Sequence, residues 1–282
     1  MSQRLLDQLG ADRLPHHMRD KRVTELMNLH GKIAVVTAGG GPSLGQAIVH
    51  RLAGLGASVA AIDRDIAAAR SVASRAAERW RTDTIALEAD ITKWEDVDRA
   101  VADIVARFGR IDIWVNNVGG IARMAPFAEL TPDEIAFDIG LNLRGPLHCT
   151  RRVLDVMIPQ KSGRIINIAS EGGKTRNQGI AVYNSCKSGI IGFTRNLAHE
   201  LTGTGVSTVA VCPGIMLTDD IIKGLGALPE ENAHPTAESI KRSTAGRASL
   251  PEEVANMVAF LATEAGAYVE ATAISVGGGM TD

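Results

Sequence analysis

From Lys32 onward the chain alternates short β-branched or apolar runs with longer amphipathic segments rich in Ala, Arg and Glu, a rhythm that few folds accept. The runs are Ile33–Thr37, Ser58–Ile62, Thr84–Leu87, Ile111–Val115, Arg164–Ile168, Ser207–Val211 and Ala273–Val276. Several are apolar at both alternating positions, as parallel strands covered on both faces must be. The segments between them, such as Gln46–Leu55, Ile66–Arg79 and Trp94–Phe108, are long enough for right-handed crossover helices. Pro132 before Asp133 and Glu134, and Pro251 before Glu252 and Glu253, mark further helix starts. Repeated strand–helix units predict a doubly wound α/β domain, a parallel sheet with helices on both faces.

No Pro-, Gly- or Ser-rich linker divides this pattern, so residues 31–282 are expected to form one catalytic domain. Residues 1–30 read as a polar extension, with a short helix over Gln3–Leu9, packing on the domain or on a neighbour. Residues 215–247 break into Gly, Pro and charge, and read as a flap over a site.

Composition removes several function classes. A net charge of -2 gives no electrostatic reason to bind nucleic acid or an anionic membrane. No apolar run approaches the length of a membrane span, and the amino terminus lacks the continuous apolar stretch of a secretory signal. Cys149, Cys186 and Cys212 are odd in number and widely spaced, so they read as reduced thiols in a cytoplasmic protein. The seven histidines have no ligand-like spacing, and no metal site is expected.

The first strand runs into Thr37-Ala-Gly-Gly-Gly-Pro-Ser-Leu-Gly45 and then a helix. Glycines permit a tight turn and close approach to a pyrophosphate, while a helix amino terminus offers free N–H donors. Counting back from Gly45, the spacing G-x-x-x-G-x-G places Gly39 first and Ser43 at the second glycine, with Leu44 between Ser43 and Gly45. The Ser43 hydroxyl could contact a phosphate. Asp63 ends the second strand, where a carboxylate accepts hydrogen bonds from an adenosine ribose and repels a 2′-phosphate. NAD is therefore favoured over NADP, although the neighbouring Arg64 could hold such a phosphate. A plain strand-end cap remains the other reading of Asp63.

Tyr183 and Lys187 lie one turn apart on a predicted helix and so share a face. An ammonium there, with the positive nicotinamide ring, would lower the phenol pKa and let tyrosine take an alcohol proton. Arg164-Ile-Ile-Asn-Ile-Ala-Ser170 reads as a strand delivering Ser170 to its carboxyl end, where its hydroxyl could hold the substrate oxygen.

With these segments in order, the sequence resembles the short-chain dehydrogenase/reductase family in its compact form, over about residues 31–280. The resemblance implies a Rossmann-type fold with seven strands. It also implies an NAD(P)-dependent alcohol dehydrogenase or carbonyl reductase acting on a small-molecule alcohol or ketone. Asn116-Asn-Val-Gly-Gly120 resembles the family's N-N-A-G turn and implies cofactor contacts at Asn117 and Gly119. Asp90 and Ile91 match the adenine-contacting pair. Asn142 matches the residue whose backbone holds a relay water. Pro213, Gly214 and Thr218 fit the segment beside the nicotinamide carboxamide, and Lys187 would also bond the nicotinamide ribose. Tyr268-Val-Glu-Ala-Thr272 lacks the family's usual glycine after tyrosine and valine.

Substrate choice is expected on the loops Ile121–Phe127 and Glu171–Gly179 and on the flap. Arg123, Arg144, Lys174 and Arg176 there read either as an anchor for an anionic substrate or as solvated charge, and His234 as a surface residue. Helices over Leu141–Met157 and Tyr183–Leu201 keep outward apolar positions, and the family pairs them into homodimers and homotetramers. Two rival readings are an epimerase or dehydratase on the same fold, and a nucleotide-binding regulator without turnover.

Overall fold

A computed structural model describes residues 15–218, 240–241 and 243–280. The Gln3–Leu9 helix, His234 and most of the 215–247 flap lie outside the described residues. The described residues form a seven-stranded parallel sheet. In chain order its elements begin with α1 (Val23–Leu26), β1 (Ile33–Thr37), α2 (Leu44–Gly54), β2 (Ser58–Asp63), α3 (Ile66–Trp80) and β3 (Thr84–Glu88). Then come α4 (Trp94–Phe108), β4 (Ile113–Asn116), α5 (Pro132–Ile139), α6 (Gly145–Gln160) and β5 (Gly163–Ile168). The chain continues through α7 (Ala181–Glu200), β6 (Val206–Pro213), α8 (Pro251–Leu261) and β7 (Ala273–Val276). The strand order is β3-β2-β1-β4-β5-β6-β7, so the sheet is doubly wound, in the Rossmann manner.

Burial explains the runs that carry no alternation. Every residue of β1 and β4 is buried, because one apolar layer covers each face of the sheet. Leu44, Ile48, Leu52, Val254 and Val258 pack on one face, and Val97, Val101, Ile104, Val153 and Met157 on the other. Each such side chain, fully removed from water, contributes roughly 1.5–3 kcal/mol. Local signals set the helix ends. Asp65 Oδ1 accepts from Ala67 N and Ala68 N at the start of α3, and Thr131 and Glu134 make a capping box around Pro132.

Three expected boundaries shift for physical reasons. The strand read from Ile111 begins at Ile113, because Asp112 is a buried plug whose Oδ2 accepts from Ile33 N at 2.9 Å. The helix expected from Leu141 is a π-helical turn over Gly140–Arg144, leading directly into α6. The helix carrying Tyr183 starts earlier, at Ala181.

Residues 15–30 lie against the sheet's amino-terminal edge. Leu29 N donates to Leu55 O at 2.8 Å, and His17 and Lys21 both reach Glu264. At the other end, Ala271 stands where glycine was expected and keeps a left-handed backbone, φ +54. A Cβ in that region costs about 1–2 kcal/mol. Part of the gain from removing it is offset by glycine's greater freedom in the unfolded chain. Ala271→Gly is therefore expected to stabilise the protein by about 0.5–1 kcal/mol, read as a higher urea midpoint at unchanged slope. A lower midpoint would contradict this.

Candidate active site

The sheet changes winding direction between β1 and β4, and strands diverging at such a point leave a crevice at their carboxyl ends. Side chains tie its floor together. Thr37 Oγ1 donates to Val115 O at 3.2 Å and accepts from Asn117 N at 2.9 Å. Asn117 Nδ2 donates to the carbonyls of Thr37 and Ala38, at 3.0 and 3.4 Å. Above this floor lies a cavity of about 280 Å³.

One wall is the glycine loop and the start of α2. Ala38 adopts φ +50, and its carbonyl points at Gly45, where a Cβ would lie only 1.9 Å away. Gly45 is thus required by the turn itself. Gly39 does not line the cavity. A Cβ there would meet Ala61 at 2.9 Å, and one on Gly40 would meet Ala69 N at 2.5 Å. These two glycines let the loop press onto β2 and α3, a packing requirement that the spacing alone does not show. Ser43 precedes α2, and its Oγ is buried without a protein partner among the described residues. A buried hydroxyl beside the open N–H groups of a helix start is a donor set suited to a phosphate. The site therefore fits the pyrophosphate of a nicotinamide dinucleotide.

The opposite wall brings together Ser170, Tyr183 and Lys187, with Pro213, Gly214, Met216 and Thr218 completing the rim. Gly172 N donates to Ser170 Oγ at 3.0 Å, which fixes the hydroxyl oxygen. Lys187 is 2% exposed. Its Nζ donates to Ile168 O at 3.0 Å and lies 5.6 Å from the centre of the Tyr183 ring. Burial lowers its pKa to about 8. The Tyr183 phenol moves upward; the lowered value expected from the sequence belongs to the site with the positive nicotinamide ring beside it. Burial raises it, and a hydrogen bond with Ser170 offsets only part of that. Loss of hydration is thus the largest influence on the phenol.

Asn142 sits in the π-helical turn, wholly buried. Its Nδ2 donates to Gly120 O and Asp138 O, at 2.7 and 2.9 Å, while Oδ1 accepts from Gly120 N at 3.1 Å. The side chain locks the turn after β4, so any contact with a relay water falls to its backbone. Asn142 Oδ1 and Lys187 Nζ both approach Gly119, where a Cβ would lie 3.5 and 3.2 Å from them.

The residues expected near adenosine stand outside this cavity. Asp63 caps backbone, accepting from Gly40 N and Asp65 N, each at 3.1 Å. Arg64 is exposed. Asp90 Oδ1 accepts from Thr92 N and Thr92 Oγ1, at 3.0 and 2.7 Å. Ile91 is a core side chain under Gly145. Met216, within the segment read as a flap, lines the cavity, as does Ala38, which the sequence does not single out. No pattern marks an alanine that must be left-handed.

Two of the four loop cations are engaged internally. Arg123 Nε donates to Glu134 Oε1 at 2.7 Å, and Lys174 Nζ donates to Ala273 O and Ser275 Oγ, at 2.9 and 2.8 Å. Arg144 and Arg176 are exposed. Among the described residues no helix is long and apolar enough to cross a membrane, and no cluster of His, Cys, Asp or Glu could hold a metal.

A doubly wound sheet with a phosphate-suited helix start facing a Ser–Tyr–Lys wall is the architecture of a dinucleotide-binding enzyme. Residues 32–223 match the family model described as short chain dehydrogenase. The chain is 35% identical over 254 residues to the 3-oxoacyl-(acyl-carrier-protein) reductase FabG of Aquifex aeolicus, covering 90% of this chain and 99% of that one. It is 33% identical over 251 residues to the 2-dehydro-3-deoxy-L-rhamnonate dehydrogenase (NAD(+)) of a Sphingomonas species, covering 89% and 96%. The solved structure of levodione reductase superposes with a TM-score of 0.84 at 30% identity, over 89% of this chain and 98% of that one. The chain belongs to the short-chain dehydrogenase/reductase family.

Proposed function

We propose that this oxidoreductase passes hydride between NAD(H) and a secondary alcohol/ketone pair, with Tyr183 as general acid and base. The observation that carries the reading is the convergence of Ser170, Tyr183 and Lys187 on a cavity whose far wall is Ser43–Gly45. Ser43, Leu44 and Gly45 would hold the pyrophosphate, Asp63 the adenosine ribose, Lys187 the nicotinamide ribose and Thr218 the carboxamide. When bound, the nicotinamide supplies the hydride acceptor or donor. Ser170 Oγ, fixed by Gly172 N, orients the substrate oxygen. The Tyr183 phenol moves the proton at that oxygen. The Lys187 ammonium favours the phenolate that forms, and Asn142 holds the turn at Gly119 on which Lys187 rests.

Asp63 favours NAD. Its carboxylate keeps lone pairs beyond the two amide bonds, and its charge opposes a 2′-phosphate. The KM for NAD is expected to lie below that for NADP with any productive alcohol; the reverse order would sink this assignment. The internal pairing of Arg123 and Lys174 favours an uncharged substrate over an anion. The test is a panel of neutral and carboxylated secondary alcohols, run in both directions with both nucleotides. Net NADH formation would exclude an epimerase or dehydratase. Tight NADH binding without turnover would favour a regulator.

Assembly as a homodimer or homotetramer belongs to the same proposal. Exposed Phe127 and Ile139 line the apolar groove between α5 and α7, and Phe137 on α5 and Ile158 on α6 add further exposed apolar positions. Sedimentation equilibrium showing only monomer at micromolar concentration would remove it.

A further inference from the structure

β4 and β5 pair so that Asn116 lies directly opposite Asn167. Two amides side by side in an apolar core are costly unless every polar atom finds a partner. Here they do. Trp114 Nε1 donates to Asn116 Oδ1 at 2.8 Å. Asn116 Nδ2 donates to Asn167 Oδ1 at 2.8 Å and to Thr150 Oγ1 on α6 at 2.9 Å. Asn167 Nδ2 donates to Thr194 Oγ1 on α7 at 2.9 Å, and Thr194 Oγ1 in turn donates to Ile190 O at 2.7 Å. Asn167, Thr150 and Thr194 are at most 1% exposed.

The elements joined are those that bear the site. β5 leads to Ser170, α7 carries Tyr183 and Lys187, β4 leads to Gly119, and α6 continues the turn of Asn142. Thr194 lies two helical turns beyond Lys187 on the same face of α7. Among the described residues the polar ties from β5 itself to α7 are Asn167 to Thr194 and Lys187 to the carbonyl of Ile168, the residue after Asn167, while Ser188 Oγ on α7 donates to Gly173 O in the turn that follows β5, at 2.8 Å. The remaining contact is apolar: Ala169, Ile190 and Ile191 belong to one cluster with Ala210 and Cys212. Apolar packing resists separation but only weakly resists sliding, whereas directional bonds fix the register.

We propose that Asn167 and Thr194 form a positioning couple that sets where α7 presents Tyr183 and Lys187 relative to Ser170. Neither residue touches the cavity, so the couple acts through Lys187 and Tyr183. With the couple cut, Lys187 is the one polar tie left between α7 and β5 itself among the described residues, the others, Ser188 Oγ to Gly173 O and Tyr183 with Ser170, reaching only the turn after β5, and water gains access to the ammonium.

Thr194→Val keeps the shape and removes the hydroxyl; Thr194→Ser restores it. The kinetic readout rests on the hydride-transfer reading, and the second readout does not. In Thr194→Val, kcat for alcohol oxidation is expected to fall about tenfold with the KM for NAD within about twofold, and Thr194→Ser to return near the parent. Competitive labelling of nucleotide-free protein with acetic anhydride should move the Lys187 midpoint from about 8 toward the ordinary 10.5 in Thr194→Val and not in Thr194→Ser. Asn167→Ala should behave as Thr194→Val does. Both readouts are required to move. A folded Thr194→Val with parental kcat or a parental Lys187 midpoint overturns the proposal, as does a variant that loses only thermal stability. If the parent oxidises no alcohol, the functional reading fails alone and the labelling midpoint decides. If Thr194→Val is insoluble, Thr194→Ser against Thr194→Ala carries the same comparison.

Discussion

Tyr183→Phe is expected to lower kcat for alcohol oxidation by about 1000-fold while leaving the affinity for NADH within about twofold, since general acid–base transfer contributes roughly 100- to 10,000-fold. The substitution removes one oxygen from a half-buried ring and leaves the rest of the wall in place. Ser170 Oγ stays anchored by Gly172 N, and Lys187 stays on the Ile168 carbonyl. The glycine loop lies across the cavity and is untouched, so nucleotide binding has no reason to change. Because burial raises the phenol pKa in the nucleotide-free protein, Tyr183 rests there as the protonated acid. That form suits ketone reduction directly. Alcohol oxidation needs the phenolate, which the positive charges of Lys187 and the nicotinamide ring must favour over the desolvated phenol. Stopped-flow and steady-state measurements on the variant, with NADH binding by fluorescence, separate chemistry from binding. Parental turnover in Tyr183→Phe would remove the tyrosine from the mechanism.

The layer architecture was legible because its signals are periodic. β1 and β7 match the apolar runs residue for residue, and α4 runs over Trp94–Phe108 as its amphipathic pattern implied. The cavity wall was legible because it uses residue types with few other reasons to share a spacing: Ser170, Tyr183 and Lys187 converge as expected. Features that depend on three-dimensional contact were not. Gly39 resembles a phosphate-loop glycine in sequence, yet its missing Cβ makes room for Ala61. Ala38 and Ala271 hold left-handed backbones that their residue type conceals. The sequence leaves Arg123 open as a substrate anchor or a solvated charge, and only the fold brings Glu134 to it. The direction of the Tyr183 shift also depended on burial, which no spacing encodes. The sequence pattern reports which faces are apolar; it says little about which polar atoms are already engaged.

Lys187→Met is expected to abolish most turnover and yet make the nucleotide-free protein more stable at neutral pH. Lys187 is an ammonium at 2% exposure whose bond to a protein atom is the one to Ile168 O. No carboxylate forms an ion pair with it among the described residues. Its pKa falls from 10.5 to about 8, and burial is the first cause. Below pH 8 both folded and unfolded chains carry the charge, and the folded one carries it at a penalty. The gap between 10.5 and about 8 corresponds to ~3 kcal/mol. Between those values the unfolded chain binds more protons than the folded one, so stability rises with pH across that window and levels off above it. Met fills nearly the same space without charge but gives up the bond to Ile168 O, which offsets about 1 kcal/mol. The variant should therefore be more stable by ~2 kcal/mol at pH 7, with the advantage shrinking as pH rises from about 8 toward 10.5. Urea unfolding of both proteins across that range measures this directly. A less stable Lys187→Met at pH 7, or a gap independent of pH, would show that the buried ammonium is better compensated than its surroundings indicate. A confirmed gain would mean that the chain keeps a buried ammonium beside Tyr183 at a direct cost to folding stability.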